Sequence, residues 1–117
     1  MSLLPVLDPR QLRSLLDLGV EPALIQELVD LVEADVPPRL ANLEAALATG
    51  DAACIVAEAH HLKGSLGNMG LSRFGDLARR LEEHGREGRV AEAAVLVAAL
   101  PDAYREALAA LREAFPA

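Results

Sequence analysis

A chain of 117 residues is long enough for one domain around one hydrophobic core. Its apolar content of 52% is mostly Ala and Leu, with Phe74, Phe115 and Tyr104 the only aromatic residues, so the β-branched, aromatic-rich runs that a sheet needs are missing. The net charge of −7 disfavours nucleic acid or an anionic membrane as partner, the single cysteine excludes an internal disulfide, and no apolar run reaches the roughly eighteen residues of a membrane span.

Met1 to Leu7 form a short apolar lead. Asp8-Pro9 reads as a helix start, with Asp8 as N-cap and Pro9 in the first helical position. The helix that follows, over about 8–18, presents Leu12, Leu15 and Leu16, stops near Gly19, and is expected to cover one end of a bundle. Glu21-Pro22 opens a second helix whose stripe is Leu24, Leu28, Leu31 and Val32. Pro37-Pro38 should kink or break it. Val36, Leu40, Leu43 and Leu47 nevertheless continue at spacings of 4, 3 and 4, which predicts one bent helix of roughly 27 residues. Thr49-Gly50 ends it and Asp51 caps the next.

In the third helix Ile55, Ala59, Leu62, Leu66 and Met69 recur at 4, 3, 4 and 3, one continuous core-facing stripe. The helix runs to about Leu66 or Met69, and Gly67, Asn68 and Gly70 make a corner. Ser72 is read as the cap of a fourth helix with the stripe Phe74, Leu77, Ala78 and Leu81, ending around His84-Gly85. A fifth helix shows Val90, Ala94, Val97, Tyr104, Leu108, Leu111 and Phe115. Pro101 interrupts it, and the preserved phase predicts a kink rather than a break. Four long amphipathic helices with short connections read as an all-α, antiparallel four-helix bundle over about 22–115, in a single domain spanning 1–117.

His60 lies nearly opposite the stripe of the third helix. Val56, Ala57, Lys63, Gly64 and Gly67 share its side, because residues three and four apart are helical neighbours, and Ala53 lies further down. Such small residues are unusual on a solvated helix face. A helix former in place of Gly64 or Gly67 would be better by about 1 kcal/mol, and a helical glycine commonly serves the close approach of another backbone. Lys63 is the only lysine among eleven basic residues. One turn from His60, its compact ammonium can neutralise charge placed on the imidazole. Six of those eleven residues (Lys63, Arg73, Arg79, Arg80, Arg86 and Arg89) lie between 63 and 89, a locally basic stretch in an acidic chain. Cys54 is read as a half-buried, inert thiol, His61 as a rim residue, and His84 as a cation favoured near a helix end.

Other chemistries lack their groups. His60 and His61 are adjacent, so their side chains diverge by about 100° and do not converge on one metal ion. No H-E-x-x-H, C-x-x-C or G-x-S-x-G motif is present, nor a glycine-rich nucleotide loop.

The run H-H-L-K-G-S, then G-N-M-G, then L-A-R-R-L-E-E-H-G-R resembles a histidine-containing phosphotransfer (HPt) domain over about Leu24 to Phe115. The family pattern is a histidine, two residues, Lys-Gly, and a glycine-containing corner into the next helix. The resemblance implies a four-helix bundle with an additional short N-terminal helix. It implies that His60 is the phosphorylated imidazole, with Lys63 stabilising the phosphoryl group and Gly64 giving the partner clearance. Glu82 and Arg86 fall where the family often has a polar residue reaching the histidine and a basic residue near it; a neutral amide is also used at the Glu82 position. The chain would then be a phosphocarrier rather than an enzyme, a relay intermediate in two-component signalling. It would bind no cofactor of its own. Its partners would be response-regulator receiver domains, which supply the aspartate and Mg²⁺, and a sensor or hybrid histidine kinase. A cytoplasmic monomer that binds neither nucleic acid nor membrane is expected. The alternative is a bundle that docks and sequesters receivers without transferring phosphate, against which the intact H-x-x-K-G argues.

Overall fold

The computed structural model describes residues 4–117; Met1, Ser2 and Leu3 of the apolar lead lie outside them. Five helices account for most of the chain: α1 (Arg10–Asp17), α2 (Pro22–Thr49), α3 (Ala52–Asn68), α4 (Ser72–Arg86) and α5 (Val90–Ala114), with no strand among the described residues. α2 packs on α3, α3 on α4, α4 on α5 and α5 on α2, closing a ring. The connections between these helices are a few residues each. The Nε2 of Gln26, near the start of α2, donates to the carbonyl of Phe115 beyond the end of α5 at 2.7 Å.

The stripe read from α3 is the buried one: Ile55, Ala59, Leu62 and Leu66 are buried and Met69 partly so. In α2 and α5 the apolar surface is wider than the core needs, and the buried row is rotated from the expected one. Leu24 and Leu31 are 47% and 61% exposed, while Ile25, Val29, Val32 and Val36 face the interior. The row that includes Ile25 and Val29 stays in phase with Val36 and Leu43; the row through Leu24 and Leu31 does not. In α5, Val90 and Ala94 are exposed, and Ala93, Val97, Leu100, Ala107 and Leu111 form the buried row.

Neither proline site ends a helix. α2 passes through Pro37 and Pro38, and α5 through Pro101. Pro37 has no N–H for the carbonyl of Glu33, four residues back. The Tyr104 hydroxyl from α5 reaches that carbonyl at 3.5 Å, the outer limit of a hydrogen bond.

Asp51 caps α3 as expected, accepting from the Cys54 N–H at 3.0 Å. α1 starts at Arg10, whose N–H donates to the Asp8 carboxylate at 3.1 Å. The side-chain hydrogen bond from Arg10 holds the Asp8 carboxyl down at about 2. Ser72 is not the cap of α4. It is the first helical residue, and its hydroxyl donates to the Gly70 carbonyl at 3.2 Å. The free N–H of Arg73 in that first turn is taken by the carbonyl of Pro5 at 3.1 Å.

This bond belongs to a clasp by which the N-terminal segment closes over the α3–α4 corner. Asp8 N–H donates to the Gly70 carbonyl at 2.7 Å, and Arg73 Nε to the Leu4 carbonyl at 3.1 Å. Leu12 of α1 is buried below it. Gly70 is required twice over: its φ is +89°, and a Cβ there would stand 2.0 Å from the Asp8 carbonyl oxygen. Gly50 offers a control, with φ +71° but nothing within 4 Å of a Cβ. Each Ala variant should lose roughly 1–2 kcal/mol from left-handed backbone, and Gly70→Ala should lose more because the clasp must open. With about 4 °C of Tm per kcal/mol at this size, thermal melts should place Gly70→Ala several degrees below Gly50→Ala. Equal melts would show that the segment does not close on this corner.

Candidate functional site

Burial of Ala59, Leu62 and Leu66 against the core fixes the rotation of α3 and turns His60 outward. The His60 side chain is 65% exposed, while its partner on α4, Glu82, is 2% exposed. His60 Nδ1 lies 3.0 Å from Glu82 Oε2. Two cations converge on the same carboxylate: Lys63 Nζ at 2.7 Å from Oε1, and Arg86 Nη2, one turn along α4, at 2.7 Å from Oε2. Of the residues expected at the site, His60, Lys63, Glu82 and Arg86 therefore form one cluster. Lys63 is not a free surface ammonium; it leans across to α4.

Glu82 is the one buried charged side chain among the described residues. Burial pushes its carboxyl pKa up, but hydrogen bonds from Lys63 and His60 and the charges of Lys63 and Arg86 outweigh that and hold it below the ordinary value. Glu82 is therefore ionised at neutral pH, and a carboxylate only accepts hydrogen bonds. Nδ1 of His60 must then carry the hydrogen, which leaves the lone pair of the neutral ring on the outward Nε2. A nucleophilic nitrogen faces solvent, with two cations one side chain away.

The reach from α4 to α3 depends on small residues. A Cβ on Gly75 would stand 3.4 Å from the Cα of Gly67, and one on Gly85 would stand 3.1 Å from methyls of Ile55 and Val56. Both glycines are buried. Gly85 lies inside α4, which continues to Arg86, rather than ending the helix. The packing role of these two residues was not read from the sequence, although Gly75, Ala78, Glu82 and Gly85 recur at 3, 4 and 3 as a row of small residues with one carboxylate in it.

Gly64 and Gly67 differ from that pair. A Cβ at either would have nothing within 4 Å, so no contact within the chain requires glycine there. Beside His60, Ala52, Ala53, Val56, Ala57, Gly85 and Arg86 line a shallow depression of about 460 Å³. The outer face of α3 is thus a floor of small side chains with one imidazole standing on it.

His61 turns the other way. Its Nε2 lies 3.0 Å from Asp35 Oδ2 on α2 and 3.2 Å from Ser65 Oγ. Asp35 also receives Arg39, which reaches Glu58 as well. The two histidines therefore pair with different helices, His60 with α4 and His61 with α2. His84 lies in the last turn of α4, as expected, and its Nδ1 accepts a 2.8 Å hydrogen bond from Arg89 Nε. Burial pushes the half-buried Cys54 thiol up. Much of the basic stretch is paired, Arg73 with Glu106 and Arg79 with Asp76 and Glu83. Lys63 and Arg86 are the two basic side chains joined to the His60 cluster. No described helix is long and apolar enough to cross a membrane.

The family model of the Hpt domain matches residues 27–114. The crystal structure of histidine-containing phosphotransfer protein B (HptB) from Pseudomonas aeruginosa PAO1 is similar at a TM-score of 0.78, with 31% identity and 93% of each chain covered. No curated protein gives a significant match. The chain belongs to the Hpt domain family, the histidine phosphotransfer proteins of two-component signalling.

The lowered Glu82 carboxyl links the cluster to pH. Around and below the ordinary value of 4.5 the unfolded chain binds the proton more readily than the folded one, so stability rises with pH in that window. The contribution is present above that value and is lost as pH falls through the lowered one. Urea melts between pH 6 and pH 3 should show a shallower acid loss in Glu82→Gln than in the parent. The same slope in both proteins would mean that the cluster does not form in solution.

Proposed function

We propose that this Hpt domain is a phosphorelay intermediate that takes a phosphoryl group on His60 Nε2 from a receiver aspartate, or from a histidine kinase, and passes it to another receiver. The observation that carries this reading is the single exposed imidazole whose Nδ1 is engaged by a buried carboxylate. Nε2 is left free to attack phosphorus as the bond to the receiver's aspartate oxygen breaks in line. The closed ring of helices supports the finer description of the fold as an antiparallel four-helix bundle with α1 across one end. Its part in the reaction is to place the nitrogen and two cations. Lys63 and Arg86, 36% and 60% exposed, can turn from Glu82 toward a dianionic group on Nε2. The Mg²⁺ and the carboxylate chemistry belong to the receiver. The chain works as a cytoplasmic monomer with receivers and a sensor or hybrid kinase as partners.

Label from a phosphorylated receiver should appear on the parent and on His61→Gln, be acid-labile, and be absent from His60→Gln. Label on His60→Gln would place the phosphoryl group elsewhere. A parent that binds receivers and never takes label would be a docking module instead.

The open space at Gly64 gives a second expectation. Gly64→Ala should keep the fold and gain up to about 1 kcal/mol from helix propensity. Gly64→Gln should also melt like the parent but raise a side chain on the floor beside His60. Receiver titration should then show transfer falling through weaker docking. If Gly64→Gln transfers as well as the parent, the docking face lies elsewhere.

A further inference from the structure

Glu82 carries more charge than orienting a ring requires. An amide carbonyl would accept the same Nδ1–H hydrogen bond and hold the same rotamer. Here a full carboxylate lies 3.0 Å from Nδ1, 2% exposed, in a cluster where Lys63 and Arg86 are far more exposed. We infer that Glu82 is a positioning residue whose negative charge sets how readily the phosphoryl group leaves His60. The inference deepens the phosphorelay reading and rests on it.

The electron count shows why charge matters at this atom. When the Nε2 lone pair forms the N–P bond, the P–O bond to the receiver breaks and its electron pair stays on the aspartate. Nδ1 still holds its hydrogen, so the ring gains a positive charge. On the way out, a receiver carboxylate oxygen attacks phosphorus and the N–P pair returns to Nε2. If Nδ1 has kept its hydrogen, neutral imidazole leaves. If Nδ1 has lost it, imidazolate must leave, and that is a far poorer leaving group. The hydrogen on Nδ1 therefore decides whether the phosphoryl group is transferable or stored.

A buried carboxylate stabilises the cationic ring by a preorganised charge in a water-poor place, where a neutral amide would not. The ionisable groups joined to this site are Lys63 from α3 and Glu82 and Arg86 from α4; His61 is turned to Asp35 on α2. In the unphosphorylated protein Lys63 and Arg86 share the Glu82 charge with the ring. When they turn to the phosphoryl oxygens, Glu82 is left with Nδ1–H as its remaining partner. The same event that adds negative charge on Nε2 thus concentrates the carboxylate on the opposite ring nitrogen.

The test compares the parent with Glu82→Gln after both are labelled from one phosphorylated receiver. Loss of label in buffer and transfer back to receiver are followed from pH 5 to pH 9. Glu82→Gln should hold its phosphoryl group about tenfold longer at neutral pH, the equivalent of roughly 1.4 kcal/mol in the barrier. Its rate profiles should also be displaced to lower pH. A side chain that only orients the ring would leave the pH profile unmoved, and that result overturns the inference. Should Glu82→Gln fail to fold, nitrogen NMR of the phosphorylated parent decides alone: a protonated Nδ1 at pH 7 supports the inference and a bare Nδ1 refutes it. A parent that never takes label fails earlier, at the phosphorelay reading itself.

Discussion

A carboxylate in a helical interior has to be neutralised, because an uncompensated buried charge costs several kcal/mol. Glu82 sets that demand, and the site is its solution. Three cationic or hydrogen-donating groups come to it from two helices, and each acquires its orientation by doing so. His60 is held by one ring nitrogen and free at the other. Lys63 and Arg86 are kept close without being buried. The ion cluster that satisfies the interior thus also fixes the exposed imidazole of His60.

That cluster is only reachable because α3 and α4 lie close together. The contact runs through Gly75 against Gly67 and Gly85 against Ile55 and Val56. A Cβ at Gly75 would just touch Gly67, and one at Gly85 would need the Ile55 and Val56 methyls to give by a few tenths of an ångström. The glycines on α3 differ. A Cβ at Gly64 or Gly67 would meet nothing within 4 Å, although the Gly67 backbone is what Gly75 packs against. The α3–α4 crossing thus uses the glycines of α4 for packing, while Gly64 leaves open space on the outer face of α3.

The N-terminal segment acts on the same pair of helices from the other end. By closing on Gly70 and on the first turn of α4, it satisfies the Arg73 N–H, a donor that a side-chain cap would otherwise serve. α2 and α5 contribute the rest of the core. Their three internal prolines are accommodated in continuous helices, with Tyr104 reaching one of the carbonyls that proline leaves free.

Helix existence and order were legible in the residues, because periodicity and capping are local: Asp51, Pro22 and the 4-3-4-3 stripe of α3 each act within a turn or two. His60 as the outward residue, and Lys63 and Gly64 on its side, followed from the same periodicity, whereas Glu82 and Arg86 came only from the family resemblance. In α2 and α5 the choice between two apolar rows was not legible. Leu24 and Leu31 are as apolar as Ile25 and Val29, and only the neighbouring helices decide which row is covered. The pairing of Glu82 with His60, 22 positions away, was decided by tertiary structure alone. It depends on how near α4 can lie to α3 and at what rotation. Those are properties of two packed surfaces rather than of either segment, and so is the tautomer that leaves Nε2 free.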